Sequence, residues 1–294
     1  MTATSATSAE SSAVTVGRLT ADLTAETSEL AAVLSRLRPP DWGRDTPAEG
    51  WTVRDQVTHL AFFDDATRLA VTDPVAFVAQ RAELLALGDR FPDVVAARYR
   101  HLPGRDCLDW FLSSRDALLA ACQVADPRVR LPWYGPDMGL ASSVTARLME
   151  TWAHGQDILD ALGARREPTA RLRHIADLGV RTFAFSFRLR GRPVPDVRVR
   201  VELSGPGSQD SPAGPDGPRW QRWSWGPGDA ADRVEGDAHE FCLVVTQRRN
   251  VADTGLTVTG PLAAEWLTIA QAFAGAATDT RPPGVVPARE GRRP

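Results

Sequence analysis

Three residues of this sequence have types and spacings that can do chemistry together. Glu150 and His154 are four apart, so on a helix both side chains leave the same face. Their neighbours Leu148, Met149, Trp152 and Ile158 predict that this helix is largely buried. A carboxylate buried beside an imidazole is costly unless its charge is paired or coordinated, and a divalent cation supplies that compensation. His59, flanked by apolar residues in a different segment, offers a third ligand. Two imidazoles and one carboxylate are a donor set of catalytic zinc, which keeps one position open for water or substrate. Spacing alone leaves a second reading open, because a plain helical ion pair is the commoner meaning of a Glu and a His four apart. The remaining histidines, His101, His174 and His239, have no partner spacing and read as surface or core residues. Asp157, three residues after His154, is a candidate catalytic residue: it would orient a ligand histidine or bind substrate, against the alternative of an ordinary exposed acid. Asp64 and Asp65 follow His59 in the same way with a weaker case.

The elements that must position these groups can be read outward from them. Thr52 is a good N-cap and Asp55 falls where a capping-box acid belongs, so a helix over about 53–69 carries His59. Ser142 or Ser143 is expected to cap a long helix that runs through Glu150 and His154 to Leu162 and stops at Gly163. Leu19, Leu23, Leu30, Val33, Leu34 and Leu37 predict an earlier helix ending at Pro39-Pro40, and 107–125 reads as another amphipathic helix. Residues 74–88 and 92–101 form a helical excursion between them. Four long helices of this kind predict an antiparallel bundle. After residue 166 the texture changes. Residues 169–187 are helical, Val197–Leu203 alternates as a half-buried strand, and 204–218 is a turn or flexible loop. Trp220–Trp225, Val234–Asp237 and Leu256–Thr259 read as strands, with helices over Ala238–Thr246 and Pro261–Phe273. The predicted fold class is α+β overall. The expected organisation is a disordered arm over 1–14, a helical metal-binding domain over 15–165, an α+β domain over 166–277 and a disordered tail over 278–294.

Composition narrows the function classes. The 294 residues are 43% hydrophobic and 24% charged, with a formal net charge of -3 carried by 34 arginines and no lysine against 37 acids. Neither nucleic acid nor a membrane is the expected partner. Cys107, Cys122 and Cys242 form no CxxC pair, and an odd count speaks against a disulfide framework, so a reducing cytoplasm is expected. The N-terminal stretch lacks the charged and apolar regions of a secretory signal.

The stretches Gly50-Trp51-Thr52-Val53-Arg54-Asp55-Gln56-Val57-Thr58-His59-Leu60 and Glu150-Thr151-Trp152-Ala153-His154-Gly155-Gln156-Asp157 resemble the mycothiol-dependent maleylpyruvate isomerase family of the DinB-like superfamily, in its actinobacterial metal-binding branch. Residues 234–275 resemble that family's C-terminal domain more loosely. The resemblance implies a DinB-like antiparallel four-helix bundle whose zinc is held by His59, Glu150 and His154, followed by a smaller α+β domain similar to sterol-carrier proteins. It also implies an active-site arginine, for which Arg248 is favoured over its neighbour Arg249. The implied activity is that of a zinc-dependent enzyme using a low-molecular-weight thiol, mycothiol, as cosubstrate. It would isomerise a small-molecule substrate or transfer sulfur to it, in a setting such as specialised metabolism, as a monomer or homodimer. Two other classes stay open on the residues alone: a thiol-independent metal enzyme (hydrolase, lyase or cyclase) and a non-catalytic metal-binding module.

Overall fold

The computed structural model describes residues 3–207 and 220–284, with side chains from residue 12 onward. The chain divides into two compact units, at Ala164/Arg165.

The first unit is helical. Its elements are α1 (Ala3–Leu34), α2 (Val53–Thr72), α3 (Pro74–Leu85), α4 (Phe91–Arg98) and α5 (Gly104–Val124), then a two-residue ribbon of β1 (Arg130–Leu131) and β2 (Met138–Gly139), then α6 (Leu140–Leu162). The four long helices close a ring of contacts: α1 on α6, α6 on α2, α2 on α5, and α5 on α1. Leu30, Leu34, Val53, Val57, Leu60, Phe111 and Ile158 fill part of the space between them. The helical apolar spacing read from the sequence thus becomes one shared core.

Two expectations for this unit need correction. The arm expected to be disordered is helical from Ala3, because its alanines are strong helix formers continuing a helix already anchored below Val16. Neither Ser142 nor Ser143 caps α6. Gly139 is its N-cap, with no side-chain bond, and Ser143 is buried inside the helix. The ribbon explains the early start, since the Leu140 N–H donates to the carbonyl of Val129, so backbone takes the part assigned to serine. The expected stop does occur: Gly163 adopts φ 65°.

The second unit contains α7 (Leu172–Arg181), α8 (Phe183–Leu189), β3 (Arg200–Pro206), β4 (Trp220–Trp225), β5 (Arg233–Asp237), α9 (Ala238–Val245), β6 (Thr257–Thr259) and α10 (Pro261–Ile269). Its sheet has the order β4-β3-β5-β6, with β3–β5 parallel and the outer pairs antiparallel. The single helix expected over 169–187 is broken at Thr182 into two. α7 comes close to α9 because Gly179 has no Cβ; one placed there would meet Val245 at 2.8 Å. The first residues of the loop expected at 204–218 instead prolong β3 to Pro206, since 204–206 pair with β4, and 208–218 lie outside the described residues. So does most of the expected tail, but its first residues are held: Thr278 accepts a bond of 3.0 Å from Gln247, and the Gly284 N–H donates to Asp253. Side-chain partners for its backbone groups hold this stretch where composition had suggested disorder. Among the described residues no helix is long and apolar enough to cross a membrane.

Candidate metal centre

The start of α2 is held from several sides. Thr52 and Asp55 make the reciprocal capping box, and Asp55, fully buried, also accepts from Arg100 at 2.9 Å. The helical period then places Gln56, His59 and Phe63 along one side, facing α6. On α6 the same period presents Arg147, Glu150 and His154.

His59, Glu150 and His154 meet there. Glu150 Oε2 lies 3.0 Å from His154 Nε2 and 3.5 Å from His59 Nε2, and one ligand atom from each residue falls within 4.8 Å of the others. Tetrahedral zinc with bonds of about 2.0–2.2 Å separates its ligand atoms by roughly 3.4 Å, so two nitrogens and an oxygen at these distances suit such an ion. Their side chains keep 12%, 20% and 11% of their surface exposed, which leaves the cluster open to a ligand from solvent.

Charge states also suit a cation. Burial and the neighbouring His154 push the His59 pKa down to about 3, so His59 is neutral and has a lone pair to give. For Glu150, burial pushes the pKa up, but hydrogen bonds from His154 and His59 outweigh it and hold the carboxyl well below its ordinary range. The group is anionic at neutral pH.

Aromatic rings wall the imidazoles. Trp51 stacks on His154 with centroids 5.9 Å apart, and Phe63 lies 4.5 Å from His59. The Trp51 indole N–H is tied to Asp93 of α4 at 2.7 Å, so the excursion expected between the core helices reaches the wall of the site.

The other candidates fall elsewhere. Asp157 is fully buried in α6, which removes the reading of an ordinary exposed acid. At Nδ1 of His154, the orienting acceptor is Gln56, whose Oε1 receives the bond. Sequence reasoning passed over Gln56. The available signal was its place one helical turn before His59 in the same capped helix. Asp64 holds Arg115 at 2.8 Å and Arg147 at 2.9 Å, and Asp65 accepts from Trp110 at 2.8 Å. Both are structural. Arg248 lies just past α9 in the second unit. Its guanidinium donates to the Thr246 carbonyl at 2.7 Å, and Gln247 before it takes φ 60°. His101, His174 and His239 join no metal-capable group among the described residues.

Comparison with known proteins agrees with the motifs around this cluster. The family model described as the mycothiol maleylpyruvate isomerase N-terminal domain matches residues 23–159. Two proteins of Mycobacterium tuberculosis, "Uncharacterized protein MT0041" of strain CDC 1551 and "Uncharacterized protein Rv0036c" of strain H37Rv, are each 43% identical over 272 residues, covering 91% of this chain and 97% of theirs. In structure, the chain is similar to a crystal structure of the mycothiol-dependent maleylpyruvate isomerase, with a TM-score of 0.56 at 16% identity over 83% of this chain and 92% of that one. A histidine-to-alanine mutant of that isomerase matches with a TM-score of 0.55. With His59, Glu150 and His154 brought together inside the matched region, the chain belongs to the mycothiol-dependent maleylpyruvate isomerase family.

Proposed function

We propose that this protein is a zinc-dependent enzyme that uses a low-molecular-weight thiol, mycothiol, to isomerise a small-molecule substrate or to transfer sulfur to it. The observation that carries this reading is the three-membered cluster of His59, Glu150 and His154, which leaves a tetrahedral ion one position for a ligand from outside. Family membership supports a thiol as that ligand. Zinc bound there would supply a thiolate near neutral pH, by lowering the pKa of a coordinated thiol.

The chain's own residues set the conditions for that chemistry. One carboxylate and two neutral imidazoles offset only half of a divalent charge, so the centre favours an anionic fourth ligand. Trp51 and Phe63 keep water from the flanks of the imidazoles. The protein's own thiols are unsuited to the task. Cys107, Cys122 and Cys242 are buried, and burial pushes the first two up to about 11 and the third well above its ordinary value.

The same proposal includes the finer points that the family resemblance suggests. The ring of α1, α2, α5 and α6 is read as a DinB-like antiparallel four-helix bundle, and the second unit as a domain similar to sterol-carrier proteins. Arg248 is assigned the substrate carboxylate, which its planar fork suits. Asp157 is kept as a group acting near His154. A cytoplasmic monomer or homodimer working in specialised metabolism completes the reading.

Calorimetric titration of the zinc-loaded protein with mycothiol, other thiols and an S-blocked mycothiol tests it. Free mycothiol should bind more tightly than the blocked form, with affinity rising with pH until the thiol is ionised in solution. Equal binding of the two forms at every pH would exclude the thiol and favour the thiol-independent alternative. Arg248→Ala should weaken substrate binding or turnover while the metal content stays at wild-type level.

A further inference from the structure

The Nδ1 of His154 faces Gln56, Gln56 faces Thr46, and Thr46 faces a backbone carbonyl. We infer that this chain of contacts makes Gln56 a positioning residue: it sets the tautomer of His154 and so aims the Nε2 lone pair at the metal position. The inference rests on the metal reading above, and deepens it.

The argument starts at the end whose chemistry has no freedom. The Trp51 carbonyl can only accept. Thr46 Oγ1 lies 2.8 Å from it, with the Ala48 carbonyl as a second neighbour at 3.5 Å. A hydroxyl has one proton, and on that side every partner is an acceptor, so the proton is spent on a carbonyl. Toward Gln56, Thr46 Oγ1 therefore accepts. The Gln56 atom 2.8 Å away must be the amide nitrogen, which settles which way round the amide lies. The amide oxygen then faces His154 Nδ1, and an oxygen with no hydrogen requires that Nδ1 carry one. In a neutral imidazole the lone pair is left on Nε2. That nitrogen lies 3.0 Å from Glu150 Oε2, on the side where the three ligand atoms converge, so a metal there would take the lone pair; with no metal bound, the same nitrogen carries a hydrogen toward that carboxylate. The opposite tautomer would set two lone pairs against each other between His154 and Gln56, and Gln56 is fully buried, so water cannot relieve the clash.

The chain of contacts has a rigid origin. The Thr46 peptide N–H also donates to the Trp51 carbonyl at 2.8 Å, and the Val53 N–H donates to Arg44. The loop is thus pinned to the start of α2 by its own backbone. His59 has no such control: its Nδ1 is buried without a hydrogen-bond partner among the described residues. His154 is the ligand set in advance, and His59 the one that adapts.

The test uses the full chain labelled with 15N-histidine. In metal-free wild-type protein at alkaline pH, long-range 1H–15N correlation should show a hydrogen on His154 Nδ1, whatever Nε2 carries toward Glu150, a readout that stands whether or not a metal binds. In cadmium-loaded protein, coupling should fall on Nε2. Gln56→Leu should lose the protected Nδ1 hydrogen and bind zinc about 10–100-fold more weakly. Gln56→Glu, which keeps an acceptor, should restore both to near wild-type values. Thr46→Val, at a half-buried position, should fold even if Gln56→Leu does not, and should lower zinc affinity several-fold with a mixed tautomer signal. Absence of a hydrogen from Nδ1 in the metal-free protein, cadmium coupling to Nδ1, or zinc affinity unchanged in folded Gln56→Leu or Thr46→Val would each overturn the inference. Absence of metal binding by the wild-type protein, with the Nδ1 hydrogen in place, would overturn the metal reading instead.

Discussion

Two carboxylates of the helical unit, Asp64 fully buried and Glu150 half-buried, meet opposite fates. Asp64 of α2 bonds two guanidiniums, Arg115 from α5 and Arg147 from α6. Glu150 of α6 lies between two imidazoles, His59 from α2 and His154 from its own helix. Each carboxylate ties helices together, but the partners differ in what they can give. An arginine keeps its proton inside a protein, so Asp64 is fully compensated and its cluster is closed. Arg115 uses its remaining donors on Thr27 and Thr151, and all three charged residues are at most 2% exposed. His59, its pKa pushed down to about 3, gives no positive charge. Glu150 is held by imidazole hydrogen bonds, which a cation could replace, in a cluster exposed enough to admit a ligand. The same construction therefore yields a structural rivet in one place and a cation site in the other, with the basicity of the partners making the difference.

The largest effect should come from breaking the rivet. Asp64→Ala leaves two guanidiniums buried without their partner and should cost about 3–5 kcal/mol in urea unfolding, while the folded fraction still binds metal. A cost below about 1 kcal/mol would mean that the two clusters do not differ as described.

Next in size is the removal of a ligand. His154→Ala should lower zinc affinity by more than about a hundredfold, since loss of a ligand exceeds loss of an outer partner. Destabilisation of the metal-free protein should be smaller than in Asp64→Ala. Zinc at a hundred times its Kd should stabilise the wild-type protein by about 2.7 kcal/mol. Chelation should abolish that gain, and His154→Ala should not show it. Metal content by mass spectrometry and paired thermal melts would check both points, and full metal occupancy in the variant would sink the site.

The smallest effect sharpens the boundary between the site and its wall. Trp51→Phe keeps a ring against the histidines but drops the hydrogen bond to Asp93, and should cost about 1 kcal/mol. Zinc affinity should hold within a few-fold. A large loss of metal would show that Trp51 shapes the cluster rather than lining it.

Much of this was legible along the chain. The 3.6-residue period put Glu150 and His154 on one face, Thr52 and Asp55 marked the start of the helix bearing His59, and Gly163 marked the end of the other. These are local relations, decided within a turn or two by backbone geometry and hydrogen-bond chemistry. The β-strands were legible for the same reason, since alternation over 197–203 is a local pattern, although β3 itself begins at Arg200 and runs on to Pro206.

The remainder depends on how helices distant in sequence rotate against one another. Gln56, rather than a nearer residue, takes Nδ1 of His154 from 98 residues away, and Arg147 rather than a metal ligand claims Asp64 from 83 away. Sequence placed Asp64 and Asp157 near the histidines along their own helices, but which flank of a helix meets a neighbour is set by packing of the shared core. The early start of α6 was settled the same way, by the carbonyl of Val129 brought to Leu140 through the β1–β2 ribbon. A buried polar atom takes whichever partner the packed helices bring within about 3 Å, and sequence order places no bound on which one that is.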